Sequence, residues 1–210
     1  MVSGQPFSPS ELMTEPSNAH RAIFFDRDGT LSHEVGYVNH LSRFALLPST
    51  VPAIRRVNEA GWRAIVTTNQ AGVARGYFEE WLIHAVHQKL RDELAAGGAF
   101  LDDIYFCAHH PTLGKPPYRL DCDCRKPKTG MLLRGAEAFG LDLTKCWVVG
   151  DRYSDVKFAH RVGAKGALVL TGYGRGEYEY QRQDWDGEPD HIAENADEAV
   201  AWILSQKDEG

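Results

Sequence analysis

Ala22-Ile23-Phe24-Phe25-Asp26-Arg27-Asp28-Gly29-Thr30 is the stretch on which the fold turns. Its first four residues form an apolar run of strand length with β-branched and aromatic members, and the polar, glycine-containing segment behind them ends the run. An extended chain has a side-chain period of two, so Asp26 and Asp28 leave the strand end pointing the same way. Paired carboxylates repel each other unless a hard divalent cation binds one of them or one keeps its proton, the state a general acid requires. Taken alone, Asp-x-Asp-Gly reads equally well as a polar turn, because Asp and Gly are common turn residues. The rest of the chain has to decide.

Further short apolar runs follow at Ala64–Thr67, Ile104–Phe106, Trp147–Val149 and Ala167–Leu170, each of a length that suits a buried strand. Helical stretches alternate with them: Val51–Ala60 stopped by Gly61, Glu79–Ala96 stopped by Gly97 and Gly98, Met131–Phe139 stopped by Gly140, and Ser154–Arg161 stopped by Gly163. This alternation predicts a doubly wound α/β fold, a parallel sheet with helices on both faces. Ligands of such sheets bind beyond the carboxyl ends of the strands, where the strand order reverses. Residues 1–19, with Pro6, Pro9 and Pro16 and no apolar period, are expected to be a disordered arm, and residues 20–210 one domain. The stretch from Gly172 to Asp190 is read as an irregular surface segment, followed by an amphipathic helix over Ala196–Leu204.

The 210 residues carry a net charge of −6, which argues against a nucleic-acid surface, where clustered Lys and Arg must neutralise phosphates. No apolar run reaches the roughly 18–20 residues that a membrane span needs, and the first residues lack a signal-peptide pattern. A monomeric cytoplasmic protein acting on a small molecule is the expectation. In that setting the four cysteines suggest metal ligation or burial rather than disulfides.

Chemistry-bearing residues recur at the strand ends. Thr67-Thr68-Asn69-Gln70 follows the second strand, Arg125-Lys126-Pro127 the third, and Gly150-Asp151-Arg152-Tyr153-Ser154-Asp155 the fourth. Hydroxyl, ammonium and carboxylate on one rim are what a phosphoryl group needs: donors and a cation for its oxygens, a metal, and a carboxylate in line to attack. Asp26-x-Asp28-Gly29-Thr30, Thr68-Asn69, Lys126 and Gly150-Asp151-x-x-x-Asp155 resemble the four motifs of the haloacid dehalogenase-like (HAD) phosphatases over about Ala22 to Gly172. The resemblance implies a HAD-like Rossmannoid fold with Asp26 as nucleophile, Asp28 as general acid and base, and Thr68 and Lys126 binding the transferring phosphoryl oxygens. It also implies magnesium on Asp26, Asp151 and the backbone carbonyl of Asp28, with Asp155 behind the metal.

A second constellation lies between strand and rim. Cys107-x-His109, twelve intervening residues and Cys122-x-Cys124 supply three soft ligands and an imidazole, a set that fits a closed tetrahedral zinc site. His110 competes with His109 for the fourth position. With no open coordination position the zinc is structural, and its place directly before Arg125-Lys126 orients those two side chains. Cys146 is assigned to the core, and His84 and His87 to ordinary surface or satisfied positions.

Only about twenty residues separate Thr30 from the helix at Val51, too few for a large cap domain. The zinc loop with Cys124-Arg125-Lys126-Pro127, Gly36-Tyr37-Val38 and Thr68-Asn69-Gln70-Ala71-Gly72-Val73-Ala74-Arg75-Gly76 resemble the D-glycero-D-manno-heptose 1,7-bisphosphate 7-phosphatases, which act in bacterial surface polysaccharide synthesis. That resemblance implies substrate contacts at Glu34, Val35, Gly36, Tyr37, Thr68, Asn69, Gln70, Ala71, Arg125, Lys126 and Arg152. Glu34 stands where that family usually has Asp, and Arg152 where Lys is frequent. Histidinol-phosphate phosphatases share the zinc loop and are the nearest alternative. A polynucleotide 3′-phosphatase is disfavoured by the acidic balance, and a zinc-stabilised binding module by the intact Asp26, Asp28, Lys126 and Asp151.

Overall fold

In the computed structural model, which describes residues 20–206, the quoted stretch opens with strand β1, Ala22–Phe25. The N-terminal arm expected over residues 1–19 lies outside the described residues. All four strand residues are fully buried, and they serve two different cores. Ile23 and Phe25 belong to a cluster on one face of the sheet, Ala22 and Phe24 to a cluster on the other, as the two-residue period of a strand buried on both sides requires. Full burial of a Phe side chain contributes about 1.5–3 kcal/mol, so this strand anchors both layers.

Six strands form one parallel sheet: β1, β2 (Arg63–Asn69), β3 (Asp103–Cys107), β4 (Trp147–Gly150), β5 (Lys165–Val169) and β6 (His191–Ala193), in the order β3-β2-β1-β4-β5-β6. Phe25 lies in register with Val66 on one side and Val149 on the other. The strand order reverses between β1 and β4, so the switch point falls at Asp26 and Asp151. Helices α1 (Thr50–Glu59), α2 (Glu80–Ala96) and α6 (Ala196–Ser205) cover one face through residues such as Ile54, Leu90 and Val200. Helices α3 (Gly130–Phe139) and α4 (Tyr153–His160) cover the other through Met131, Leu132, Phe158 and Ala159.

Helix ends follow local chemistry. The Asn195 side chain accepts hydrogen bonds from the Asp197 and Glu198 amides and starts α6, while Gly140 in the left-handed region stops α3. Sequence and structure part at the C-terminal side of the sheet. The segment read as irregular contains a two-turn helix, α5 (Gly174–Gln181), and the short strand β6 was not anticipated. The α5 stretch is polar and weakly patterned, and it is held by tertiary contacts: Tyr178 and Trp185 pack around a small cluster of Tyr153, Val156 and Leu168. His87 is also corrected, because it is neither at the surface nor satisfied: it is buried against Phe106 with its Nε2 lacking a hydrogen-bond partner, and burial followed by the nearby Arg27 charge pushes its pKa down to about 3. Residues 30–49, between β1 and α1, form a short flap of turns and bridges and no separate cap.

Candidate active site

Asp26 follows β1 directly, and its amide donates to the Val149 carbonyl, which locks the residue beside β4. Lys126 is buried beneath it. The Lys126 ammonium donates to Asp26 Oδ1 at 2.5 Å, to Asp155 Oδ1 at 2.7 Å and to the Thr67 carbonyl at 2.9 Å, which satisfies its three protons. A buried ammonium on its own would lose its proton. Here burial is outweighed by Asp155 and Asp26, and the Lys126 pKa is raised above that of a free lysine.

Negative charge exceeds positive charge at this point. Asp151 is 1% exposed and accepts a hydrogen bond from the Tyr173 amide at 2.8 Å. Its carboxylate passes between Gly29 and Gly172, where a Cβ on either residue would overlap Asp151 Oδ2. Both glycines also have positive φ, at 87° and 53°, so the close approach and the turns require glycine at the two positions. Burial first, then the charges of Asp155 and Asp28 beyond the relief from Lys126, pushes Asp26 up to about 7. Burial, then Asp26 and Asp155, pushes Asp151 up to about 8. Asp26 and Asp155 share the one Lys126 ammonium and Asp151 stands beside them, so these oxygen donors suit a hard divalent cation at the strand ends, whose charge would restore Asp26 and Asp151 to their ionised form.

Asp28 is placed differently. Arg27 wraps back on its neighbour with Nε 3.2 Å from Asp28 Oδ1 and Nη2 2.8 Å from Oδ2, while Gln70 Nε2 donates at 2.8 Å and the Ser32 hydroxyl at 3.2 Å. Burial works to raise its pKa, yet the Arg27 charge and these donors prevail and hold Asp28 below the usual carboxylate range. The paired acids of the sequence motif are therefore electrostatically opposite.

One cleft of about 430 Å³ brings together most of the residues singled out in the sequence: Asp26, Asp28, Glu34, Gly36, Tyr37, Thr68, Asn69, Ala71, Arg125, Lys126 and Arg152. Asn69 and Lys126 exchange hydrogen bonds, amide side chain to backbone, and so tie the β2 loop to the lysine loop. Two expected contacts are not on the wall. Val35 packs against the main core, with its carbonyl accepting from Arg43, and Gln70 is buried with its amide turned to Asp28 and Thr68. Ser154 and Tyr173 line the cleft without having been singled out. Ser154 sits inside the Asp151–Asp155 motif and could have been found there. Tyr173 carries no motif.

The sulfur cluster assembles behind Arg125. Cys107 Sγ lies 3.5 Å from Cys122 Sγ, Cys122 Sγ 3.1 Å from Cys124 Sγ, and His109 Nδ1 3.5 Å from Cys124 Sγ and 3.8 Å from Cys107 Sγ. Ligand atoms of a closed tetrahedral site with bonds of about 2.0–2.3 Å stand about 3.3–3.8 Å apart, so the four residues fit one metal ion. The four cysteines are free of disulfides. His110 is not part of the cluster, for its Nδ1 accepts from the amides of Thr112 and Leu113. Cys146 is fully buried in the core, as expected. Arg125 Nη1 donates to the His109 carbonyl at 3.3 Å, a direct link from the cluster to the cleft.

Comparison with known proteins agrees with this fold. Residues 123–199 match the HAD-hydrolase-like family model, a span that includes Lys126, Asp151 and Asp155. The fold and site thus define a HAD-like phosphatase, an enzyme that hydrolyses phosphate monoesters. The chain is 42% identical over 195 residues to a D-glycero-D-manno-heptose-1,7-bisphosphate 7-phosphatase of Thermosynechococcus vestitus, covering 88% of this chain and 95% of that one. A D-glycero-β-D-manno-heptose-1,7-bisphosphate 7-phosphatase of Haemophilus influenzae is 41% identical over 73% of this chain and 83% of its own. In structure it resembles the D,D-heptose 1,7-bisphosphate phosphatase of B. bronchiseptica, solved with magnesium and phosphate, at a TM-score of 0.78 and 31% identity over 88% of this chain and 98% of that one. The chain belongs to the D-glycero-D-manno-heptose 1,7-bisphosphate 7-phosphatase family. Among the described residues, no helix is long and apolar enough to cross a membrane.

Proposed function

We propose that this enzyme removes the 7-phosphate of D-glycero-D-manno-heptose 1,7-bisphosphate through an aspartyl-phosphate intermediate, acting through residues 20–210 as a single domain. The observation that supports this reading most is the convergence on one cleft of the Asp26–Lys126–Asp155 cluster with two further guanidinium groups, Arg125 and Arg152. The reacting phosphate is served by Lys126 and Thr68, so the extra cations have a role if a second anion is held.

In this reading the Asp26 carboxylate attacks phosphorus in line, forming the acyl phosphate as the bond to the sugar oxygen breaks. Asp28 gives its proton to that leaving oxygen and later takes one from the water that cleaves the intermediate. The donors around Asp28 favour its anion, and the arriving phosphate dianion opposes them, raising proton affinity at the step that needs an acid. Lys126 and Thr68 hold the equatorial oxygens. Asp26, Asp151 and the Asp28 carbonyl would hold magnesium, which when bound neutralises charge on the carboxylates and phosphate. Cys107, His109, Cys122 and Cys124 would hold zinc, which fixes the loop that carries Arg125.

Turnover across a panel of phosphorylated metabolites tests the assignment. Heptose 1,7-bisphosphate is expected to give the highest kcat/KM and to lose its primary phosphate first. Better turnover of histidinol phosphate would reject the bisphosphate reading and leave the phosphatase standing.

A further inference from the structure

The segment after β5 lies outside all four motifs, yet it meets the site twice through one residue. The Tyr173 amide donates to Asp151 Oδ2, and the Tyr173 ring stacks beneath Arg152, whose guanidinium carbon is 3.8 Å from the ring centroid. The ring is 41% exposed and lines the cleft. Glu177, one turn into α5, stands 3.5 Å from Arg152 Nη1 through Oε1 and accepts the Tyr153 amide at 2.7 Å through Oε2. Arg152 is the residue before α4, and its side chain is about half exposed, so nothing in α4 itself fixes where its charge points.

A flexible arginine at a rim loses rotamer entropy when it grips an anion, about 0.5–1.5 kcal/mol for a side chain of this kind. A guanidinium held over an aromatic ring at 3.8 Å has already lost much of that freedom, while N–H donors not aimed at the ring stay available for an oxyanion. We propose that Tyr173 is a positioning residue for Arg152 and thereby a determinant of affinity for the second anionic group of a doubly phosphorylated sugar. This rests on the reading of Arg152 as a substrate contact. Tyr173 acts from the helix α5 segment, with the ring as the shelf, Glu177 as the stop on one side, and the backbone amide independently holding Asp151. The hydroxyl has no part in it.

The design of the test uses that separation, because a change of side chain leaves the amide to Asp151 in place. Tyr173→Phe, Tyr173→Ala, Arg152→Ala and the Arg152→Ala/Tyr173→Ala double variant are assayed in magnesium with heptose 1,7-bisphosphate and with an aryl monophosphate. Tyr173→Ala is expected to raise KM for the bisphosphate about 3–10-fold, the scale of one lost cation–π contact, with kcat within about twofold. Tyr173→Phe is expected to change KM for the bisphosphate far less than Tyr173→Ala does, the Tyr173→Ala effect on the aryl phosphate to be much smaller than on the bisphosphate, and the double variant to be no worse than Arg152→Ala. An equal kcat loss on both substrates would show that Tyr173 works through Asp151 and would overturn the proposal, as would additive losses in the double variant or an unchanged KM in Tyr173→Ala. Failure of the substrate reading shows separately, as no bisphosphate preference in the unmodified enzyme. The double-variant cycle is then read on KM for its best substrate, where coupling between the two positions supports the shelf and additivity removes it.

Discussion

The rim at the strand ends and the sulfur loop beside it both gather groups that suit a cation, and they do it by opposite means. The rim sets Asp26 and Asp155 on Lys126 with Asp151 close by, and burial followed by neighbouring carboxylates drives Asp26 and Asp151 up to about 7 and 8. Such a site is strained electrostatically without its metal and open to solvent and substrate on one side. The loop brings three sulfurs and an imidazole within 4.8 Å of one another and leaves no open position. Its ligand atoms are sulfur and imidazole nitrogen rather than oxygen, and no disulfide joins the cysteines. The first region is organised by the sheet, since Asp26 and Asp151 directly follow β1 and β4. The second is a loop behind β3 whose His109 carbonyl accepts a hydrogen bond from Arg125, and the proposed zinc would fix it.

The largest effect expected from this contrast is at the nucleophile. Asp26→Asn is expected to lower kcat by about four orders of magnitude or more, since it removes the attacking charge, while thermal melting stays within a few degrees because one repelling carboxylate has gone. Substantial turnover by a folded Asp26→Asn protein would remove the covalent mechanism. Loop substitutions sharpen the other half of the comparison. Cys122→Ser or Cys124→Ser is expected to abolish stoichiometric zinc, read by elemental analysis, and to cut activity about 10–100-fold by releasing Arg125 and Lys126, with most of the sheet still folded by circular dichroism. Finding no tightly held metal in protein prepared without chelator would break the comparison outright.

Smaller effects separate the anion grips from the chemistry. Arg125→Ala is expected to cost about 10–100-fold in kcat/KM for the bisphosphate, the equivalent of one charge-assisted contact of about 1.5–3 kcal/mol, and much less for an aryl monophosphate. Equal losses on both would mean that Arg125 serves the reacting phosphate instead. The smallest expected effect is on stability. Asp26 and Asp151 hold their protons to higher pH in the folded chain than in the unfolded one, so without magnesium their contribution is lost as pH rises through about 7 to 8. Protein free of magnesium but retaining the loop metal is expected to melt lower at pH 8.5 than at pH 6.5, a window above that in which buried His87 opposes the trend. Added magnesium should then raise Tm more at pH 8.5, because protons no longer compete for the same oxygens.

Much of this was legible in the linear chain because its signals are local. Strand β1 has the predicted bounds, the other four expected strands are present within a few residues, and the glycines that end α2 and α3 stand where they were read. Asp26 and Asp151 stand directly behind β1 and β4, Thr68 is the last residue but one of β2, and in a parallel sheet these strand ends lie on the same edge; Lys126 reaches that edge from the loop behind β3. The Cys107-x-His109 and Cys122-x-Cys124 pairs were readable for a related reason, since ligand spacing within each pair is set by the backbone.

What the tertiary structure alone decided depends on contacts between residues far apart in the chain. The assignment of His109 over His110 followed from which imidazole met sulfurs thirteen and fifteen residues away and which was occupied by its own turn. The opposite electrostatics of Asp26 and Asp28 could not be read from a symmetric Asp-x-Asp, because Lys126 approaches one and Arg27 with Gln70 the other. Helix α5 and Tyr173 were invisible for the same reason. A polar, tyrosine-rich segment has no periodic apolar face to announce it, and it becomes part of the site only because β5 delivers it beside Asp151 and Arg152. Period and spacing are properties of the backbone and survive in sequence, whereas the sign and direction of a side chain's charge are set by whichever distant groups the fold packs against it.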